Sequence, residues 1–188
     1  MRFYIAGLGN PGKEYELSRH NAGSFVLSYL RAQFGFPELR SDKKKKSAHS
    51  RGKHMEKDIT LIFPETFMNE SGRALKNFIA RAADKKRLIV IHDDLDLPIG
   101  SFKISFDRGP GGHKGVLGIA RALRGNDFYR IRIGTSPRTV SGKLKKISGA
   151  ASVKKFVLSR FGKKEIEAVQ SLFPEILKGI GDILDGRR

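Results

Sequence analysis

No cysteine occurs among the 188 residues, which excludes a disulfide framework, a thiolate zinc site and a cysteine nucleophile together. No G-x-S-x-G elbow occurs either, so covalent catalysis through an activated serine lacks its usual signature. The five histidines, His20, His49, His54, His92 and His113, form no H-x-x-x-H pair of the kind that binds zinc from one helix face. No apolar run approaches the roughly 20 residues needed to span a bilayer. The opening Met1-Arg2-Phe3-Tyr4-Ile5-Ala6-Gly7 is interrupted too early to read as a secretory signal, so the cytoplasm is the expected compartment. Acidic residues are scarce, 19 Asp and Glu against 37 Lys and Arg, for a net charge of +18.

That imbalance implies an anionic partner, and nucleic acid fits better than a membrane surface because no continuous basic amphipathic helix is present. Residues 128–164 hold eleven Lys and Arg and no acidic residue. A second basic stretch, residues 40–57, contains Lys43-Lys44-Lys45-Lys46; a run of this kind is either a solvated loop or a contact surface. Hydrophobic residues at 39% and charged residues at 30% describe a globular chain with enough apolar material for one core.

Apolar patterning predicts strands over residues 3–8, 59–63, 88–91, 102–106 and 129–133, with 102–106 alternating as an edge strand does. Helical spacing covers 24–34, 70–83 and 116–123. A C-terminal helical region carries Ile166, Val169, Leu172, Phe173, Ile176, Ile180 and Leu184, with a break near Pro174. Strands alternating with helices predict one α/β domain over residues 1–188, in three layers, with a largely parallel central sheet flanked by helices. Residues 134–151, rich in Gly, Ser, Lys and Pro, are expected to form a mobile surface loop.

Gly7-Leu8-Gly9-Asn10-Pro11-Gly12 matches G-x-G-x-x-G after a strand, yet no carboxylate stands about 20 residues further on, as a dinucleotide site requires. The glycines suit a tight exit from a strand instead. Around Gly111-Gly112-His113-Lys114-Gly115 both the spacing and the final hydroxyl of a P-loop fail. His92-Asp93-Asp94-Leu95-Asp96 admits three roles: a structural turn, an orienter of a catalytic group, or a divalent-ion site. Asn69 and Ser71 suit helix capping. With no covalent nucleophile in view, water is the expected nucleophile and a histidine its natural base.

Taken in order, these segments resemble the bacterial peptidyl-tRNA hydrolase family: Gly7 to Gly12, Tyr15, Arg19-His20-Asn21-Ala22-Gly23, Phe67-Met68-Asn69 with Ser71-Gly72, His92 to Pro98 with Gly100, Gly111-Gly112-His113 with Gly115, Arg130-Ile131-Arg132-Ile133-Gly134, and Phe156-Val157-Leu158. The match extends over nearly the whole chain, and its strength lies in the motifs standing together in register.

The resemblance implies a twisted mixed sheet and hydrolysis of the ester between a peptide and the 3′ ribose of tRNA. It implies no cofactor and no metal, peptidyl-tRNA as partner, no membrane, and a monomer. His20 matches the residue that activates water and Asp93 the one that orients it. Asn10 and Asn69 match amides that hydrogen-bond substrate near the ester, Met68 resembles a wall of the site, and Tyr15 joins them as substrate-binding. Arg132 lies where the family contacts the tRNA end, with Lys103 nearby. Lys114 stands where the family usually has Asn; an ammonium there would disfavour a charged His20, reach a phosphate, or stabilise an oxyanion. Ser18 replaces a commoner Thr. Two other readings are a catalytically inactive RNA-binding protein of the same fold and a metal-dependent phosphodiesterase using Asp93, Asp94 and Asp96.

Overall fold

The computed structural model describes residues 1–139 and 142–187. Seven strands form one sheet: β1 (Arg2–Gly7), β2 (Arg40–Asp42), β3 (Ser47–His54), β4 (Lys57–Pro64), β5 (Leu88–Pro98), β6 (Phe102–Phe106) and β7 (Tyr129–Ser136). Their order is β2-β3-β4-β1-β5-β7-β6. The four central strands pair in parallel, and β2, β3 and β6 add antiparallel edges, so the sheet is mixed with a parallel core. The helices are α1 (Ala22–Gln33), α2 (Ser71–Leu75), α3 (Ala82–Lys85), α4 (Lys114–Leu123), α5 (Ala150–Leu158), α6 (Lys163–Gln170) and α7 (Phe173–Leu184).

Central strands are buried on both faces, which explains their unbroken apolar runs. Alternate residues feed two separate cores, because side chains on a strand point to opposite faces. Phe3, Ile5, Ile89 and Ile91 join α1, α6 and α7 on one face. Tyr4, Ala6, Leu88 and Val90 join residues of α2 and α4 on the other. Three layers result.

Several boundaries differ from those predicted. The helix expected over 70–83 is broken: α2 ends at Leu75, and Phe78 and Ile79 turn back with their N–H groups on the Leu75 carbonyl. Both side chains are thereby buried in the second core, and Asn77 ties the turn to the carbonyls of Lys45 and Arg73. Ala82 starts a separate short helix whose Arg81 N–H donates to Asp84. β5 runs seven residues past Ile91, because His92, Asp93 and Asp94 continue the parallel ladder against Arg132, Ile133 and Gly134. Residues 40–57 form the β2–β3 hairpin with Lys43 to Lys46 in its turn, then enter β4. The expected C-terminal break is present: Pro174 sits in the first turn of α7, where a proline costs no hydrogen bond. Of the expected 134–151 loop, residues up to Ser136 belong to β7, α5 begins at Ala150, and Val140 and Ser141 lie outside the described residues.

Backbone contact sets how α1 meets the sheet. A Cβ on Gly23 would overlap the carbonyl oxygen of Ile91, and one on Gly7 would come within 2.5 Å of the Gly23 oxygen. Glycine at both positions lets the start of α1 rest directly on β1 and β5.

Candidate active site

His20 stands in a 3-10 turn (Arg19–Asn21) immediately before α1. The turn is anchored on both sides. Arg19 is buried and forms a double contact with Glu165 at 2.6 and 2.7 Å, donates to the Arg160 carbonyl and Ser159 Oγ, and lies over the Phe156 ring. Asn21 accepts from the Asn10 N–H at 2.9 Å and donates to the Asn10 carbonyl at 3.0 Å. The glycine-rich exit of β1 is thus locked to the turn that carries His20. An added Cβ on Gly9 would sit 2.9 Å from the Asn21 amide, so this glycine serves close packing, as expected of a strand exit.

Asp93 lies on β5 and is buried. Its Oδ1 accepts two hydrogen bonds, from His20 Nδ1 at 2.8 Å and from His113 Nε2 at 2.9 Å. His113 precedes α4, and its Nδ1 accepts from the Val116 N–H at 3.2 Å. That bond needs an unprotonated Nδ1, so His113 is neutral and its proton sits on Nε2, facing Asp93. Burial by itself would raise the Asp93 pKa, but His20 and His113 outweigh it, and the carboxyl is held below the usual carboxylate range. Asp93 is therefore a buried anion held by two imidazoles. His20 directs Nδ1–H at that anion, which leaves Nε2 as the atom free to accept a proton.

His92 is buried behind them, its ring 4.6 Å from that of His113. Its Nδ1 donates to the Asp93 carbonyl at 2.7 Å. Burial first, then the neighbouring His113, pushes its pKa well below the ordinary histidine value, so His92 is neutral.

The remaining candidates divide into neighbours of this centre and occupants of two flanking cavities. Asn10 is buried, and its Oδ1 accepts from the Met68 N–H at 2.9 Å, which orients the amide and leaves Nδ2 to donate elsewhere. Met68 is buried against Gly115, where a Cβ would lie 2.5 Å from its sulfur. Asn69, next in the chain, is exposed. Tyr15 is half-buried in a 3-10 turn (Lys13–Tyr15) after the β1 exit.

One cavity, of about 460 Å³, lies at the β6 edge and is lined by Lys103, Arg108, Arg130, Arg132 and Asp94 among others. Lys103 and Arg132 are direct cross-strand partners, a like-charge pairing that is unfavourable without a counter-ion. Asp94 takes one hydrogen bond from Arg132 Nε at 2.6 Å. The second cavity, a groove of about 630 Å³ between α2 and α4, holds Asn69, Glu70, Arg73, Lys114 and Arg121. Lys114, first residue of α4, is exposed there.

His20, Asp93 and His113 are the one group among the described residues whose ligand atoms converge closely enough for a metal ion. Each imidazole already directs a proton at the shared carboxylate oxygen, however, and an ion would have to displace both. Asp93, Asp94 and Asp96 form no cluster: Asp94 is committed to Arg132 and to the Asp96 N–H. His113 carries a role that the sequence did not assign; its position three residues before Val116 at a helix start was the available signal. Arg19 and Asn21 were visible only as neighbours of His20.

The sequence profile of the family described as peptidyl-tRNA hydrolase matches residues 4–187. A peptidyl-tRNA hydrolase of Marinobacter nauticus is 37% identical over 186 residues, spanning 97% of this chain and 89% of that protein. One of Psychrobacter arcticus is 38% identical over 183 residues, again 97% and 89% of the two chains. Among solved structures, the peptidyl-tRNA hydrolase of Acinetobacter baumannii superposes with a TM-score of 0.87 at 28% identity, covering 98% of this chain and 89% of that one.

Proposed function

The chain belongs to the peptidyl-tRNA hydrolase family, esterases that act on peptidyl-tRNA, and from that premise we propose how its residues perform the hydrolysis. His20 Nε2 takes a proton from water as the oxygen attacks the ester carbonyl carbon. Asp93 fixes the reactive tautomer and compensates the imidazolium that forms, as the carboxylate of a Ser-His-Asp triad does, without a serine. The amides of Asn10 and Asn69 donate to the oxygen that gains negative charge, which neutral donors do without ionising. As the tetrahedral intermediate collapses, the C–O bond to the ribose breaks and His20 returns its proton to the leaving 3′ oxygen. The products are a free peptide acid and tRNA. Met68 and Tyr15 shape the substrate side, and Lys114 acts on substrate from the α2–α4 groove.

The observation that carries this reading is the 2.8 Å contact of His20 Nδ1 with a buried carboxylate, which leaves Nε2 unused by the fold. Lys103 and Arg132 are assigned to phosphates near the tRNA end. Their support is the β6-edge cavity, with four cationic side chains against one carboxylate, and phosphate contacts of this kind give affinity without reading sequence. The reading as an inactive RNA-binding protein has no support, since Asn10, His20, Asn69 and Asp93 are all present. The proposed location is the cytoplasm and the proposed state a monomer. No described helix is long and apolar enough to cross a membrane.

The test is single-turnover cleavage of a short N-blocked peptidyl-tRNA in the presence of chelator. Wild type should cut, and His20→Ala should lose roughly 10³- to 10⁴-fold in rate while staying folded. Full activity in the variant would remove His20 from the mechanism.

A further inference from the structure

The ester of peptidyl-tRNA joins an RNA to a peptide, so a site that places the ester at His20 and Asp93 must send the two halves in different directions. The two cavities flank one turn, Pro110 to His113, closed by the His113 N–H on the Pro110 carbonyl. Gly109, Pro110 and Gly111 line the β6-edge cavity, and Lys114 opens the α2–α4 groove. With the RNA end assigned to the first, the groove is left for the peptide. Asn69 lines the groove directly beside Met68, whose N–H is held by Asn10, so the groove leads away from the substrate amides. A volume of about 630 Å³ suits a side chain or two.

The charge of this groove is one-sided. Arg73, Lys114 and Arg121 are set against Glu70 alone, and Glu70 is paired with Arg73 at 2.7 Å. Lys114 and Arg121 are exposed and belong to no ion pair among the described residues. The floor is partly backbone, with Leu117 and Ala122 beside it: a Cβ on Gly72 would overlap the Gly118 oxygen, and one on Gly118 would stand 2.6 Å from the Asn69 oxygen. Two unpaired cations over a floor of glycine and apolar side chains, with no acidic group free to pair with them, favour a carboxylate.

We propose that the α2–α4 groove selects peptides bearing an acidic side chain close to the ester, with Lys114 and Arg121 as the specificity-determining residues. This rests on the esterase reading above. One exposed ion pair is worth a factor of about 1.4 to 5, so two cations give a preference of about two- to thirtyfold in kcat/KM.

The experiment compares N-acetyl-Glu and N-acetyl-Gln dipeptidyl-tRNAs that share the same tRNA and the same esterified residue. Wild type at low salt should prefer the Glu substrate by that ratio. The ratio should fall toward one at 0.5 M salt and in Lys114→Gln/Arg121→Gln, and should invert in Lys114→Glu/Arg121→Glu. Because the ratio is internal to each variant, partial loss of folded enzyme does not change it. Equal kcat/KM for the two substrates with wild type, or a ratio unmoved by the double substitution, would overturn the proposal. Failure to cut either substrate would instead overturn the esterase reading beneath it.

Discussion

The proposed catalytic centre at Asp93 and the β6-edge cavity at Asp94 lie side by side along β5 yet handle charge in opposite ways. At the centre a single carboxylate, Asp93, is buried and accepts from two imidazoles, one of which, His113, is fixed by a second hydrogen bond. At the cavity, four cations crowd one carboxylate and two of them, Lys103 and Arg132, face each other across the ladder. The first arrangement is complete within the fold; the second is left in want of anions. Buried electrostatics is decided by geometry and fails abruptly, because an unpaired group cannot recover solvation. Exposed electrostatics is a sum of small screened contributions and fails by degrees.

The sharpest way to break this contrast is Asp93→Asn. It preserves shape and removes the charge, and kcat should fall about 10³-fold or more; a loss of only a few-fold would put the dyad in the same graded class as the cavity. Asn10→Asp keeps the oxygen that accepts from Met68 but replaces the donor with a carboxylate. We expect a drop of about 10²-fold in kcat, since removal of one oxyanion donor costs about that much, together with a loss of thermal stability from the buried carboxylate. Arg132→Gln should leave kcat nearly intact, raise KM several-fold, and reduce the slope of log KM against log salt by about 0.7–0.9, the share of one phosphate. An unchanged salt slope would take Arg132 out of the RNA contact.

The smallest effect concerns His92. A histidine whose folded pKa lies below its unfolded value binds more protons when unfolded, so its stabilising contribution is complete above about pH 6.5 and is lost as pH falls below that. Denaturant unfolding of wild type should show stability declining below about pH 6.5. In His92→Leu the slope should be shallower by up to about 1.4 kcal/mol per pH unit. Equal slopes would mean that His92 is not the buried neutral group described here. His49 and His54 are also shifted downward, chiefly by burial, so the difference between variants is the informative quantity.

How much of this was legible in the sequence follows from the same physics. Strands β1, β4 and β5 were visible because burial on both faces writes a continuous apolar run. The extension of β5 through His92, Asp93 and Asp94 was not visible, because polar residues enter a strand there to serve the site and not the core. The β2–β3 hairpin was hidden for a similar reason: its residues are mostly small, polar or basic, and only pairing with β4 makes them strands. The individual motifs of the site were legible, and their convergence was not. Asn10, His20, Met68 and Asp93 are brought together by parallel strands returning to the same end of the sheet, and nothing in local spacing encodes that. His113 was legible as a motif residue but not as the second donor to Asp93, which depends on how α4 docks. The guanidinium of Arg130 is buried, with one donor on the Gly109 carbonyl and Nε unpaired, and a charge scan sees it as one more surface cation.

The contact of Gly23 with Ile91 and Gly7 has a consequence for how this enzyme can change over time. The distance from His20 to Asp93 depends on where α1 stops against β1 and β5, and that stop is main chain against main chain. At Gly23 no side chain stands between the helix start and the Ile91 carbonyl. The apolar residues behind the sheet are therefore open to exchange for others of similar bulk while His20 and Asp93 keep their separation. Such a joint lets sequences diverge widely around an unchanged reaction geometry, and concentrates intolerance to substitution in residues that have no side chain at all.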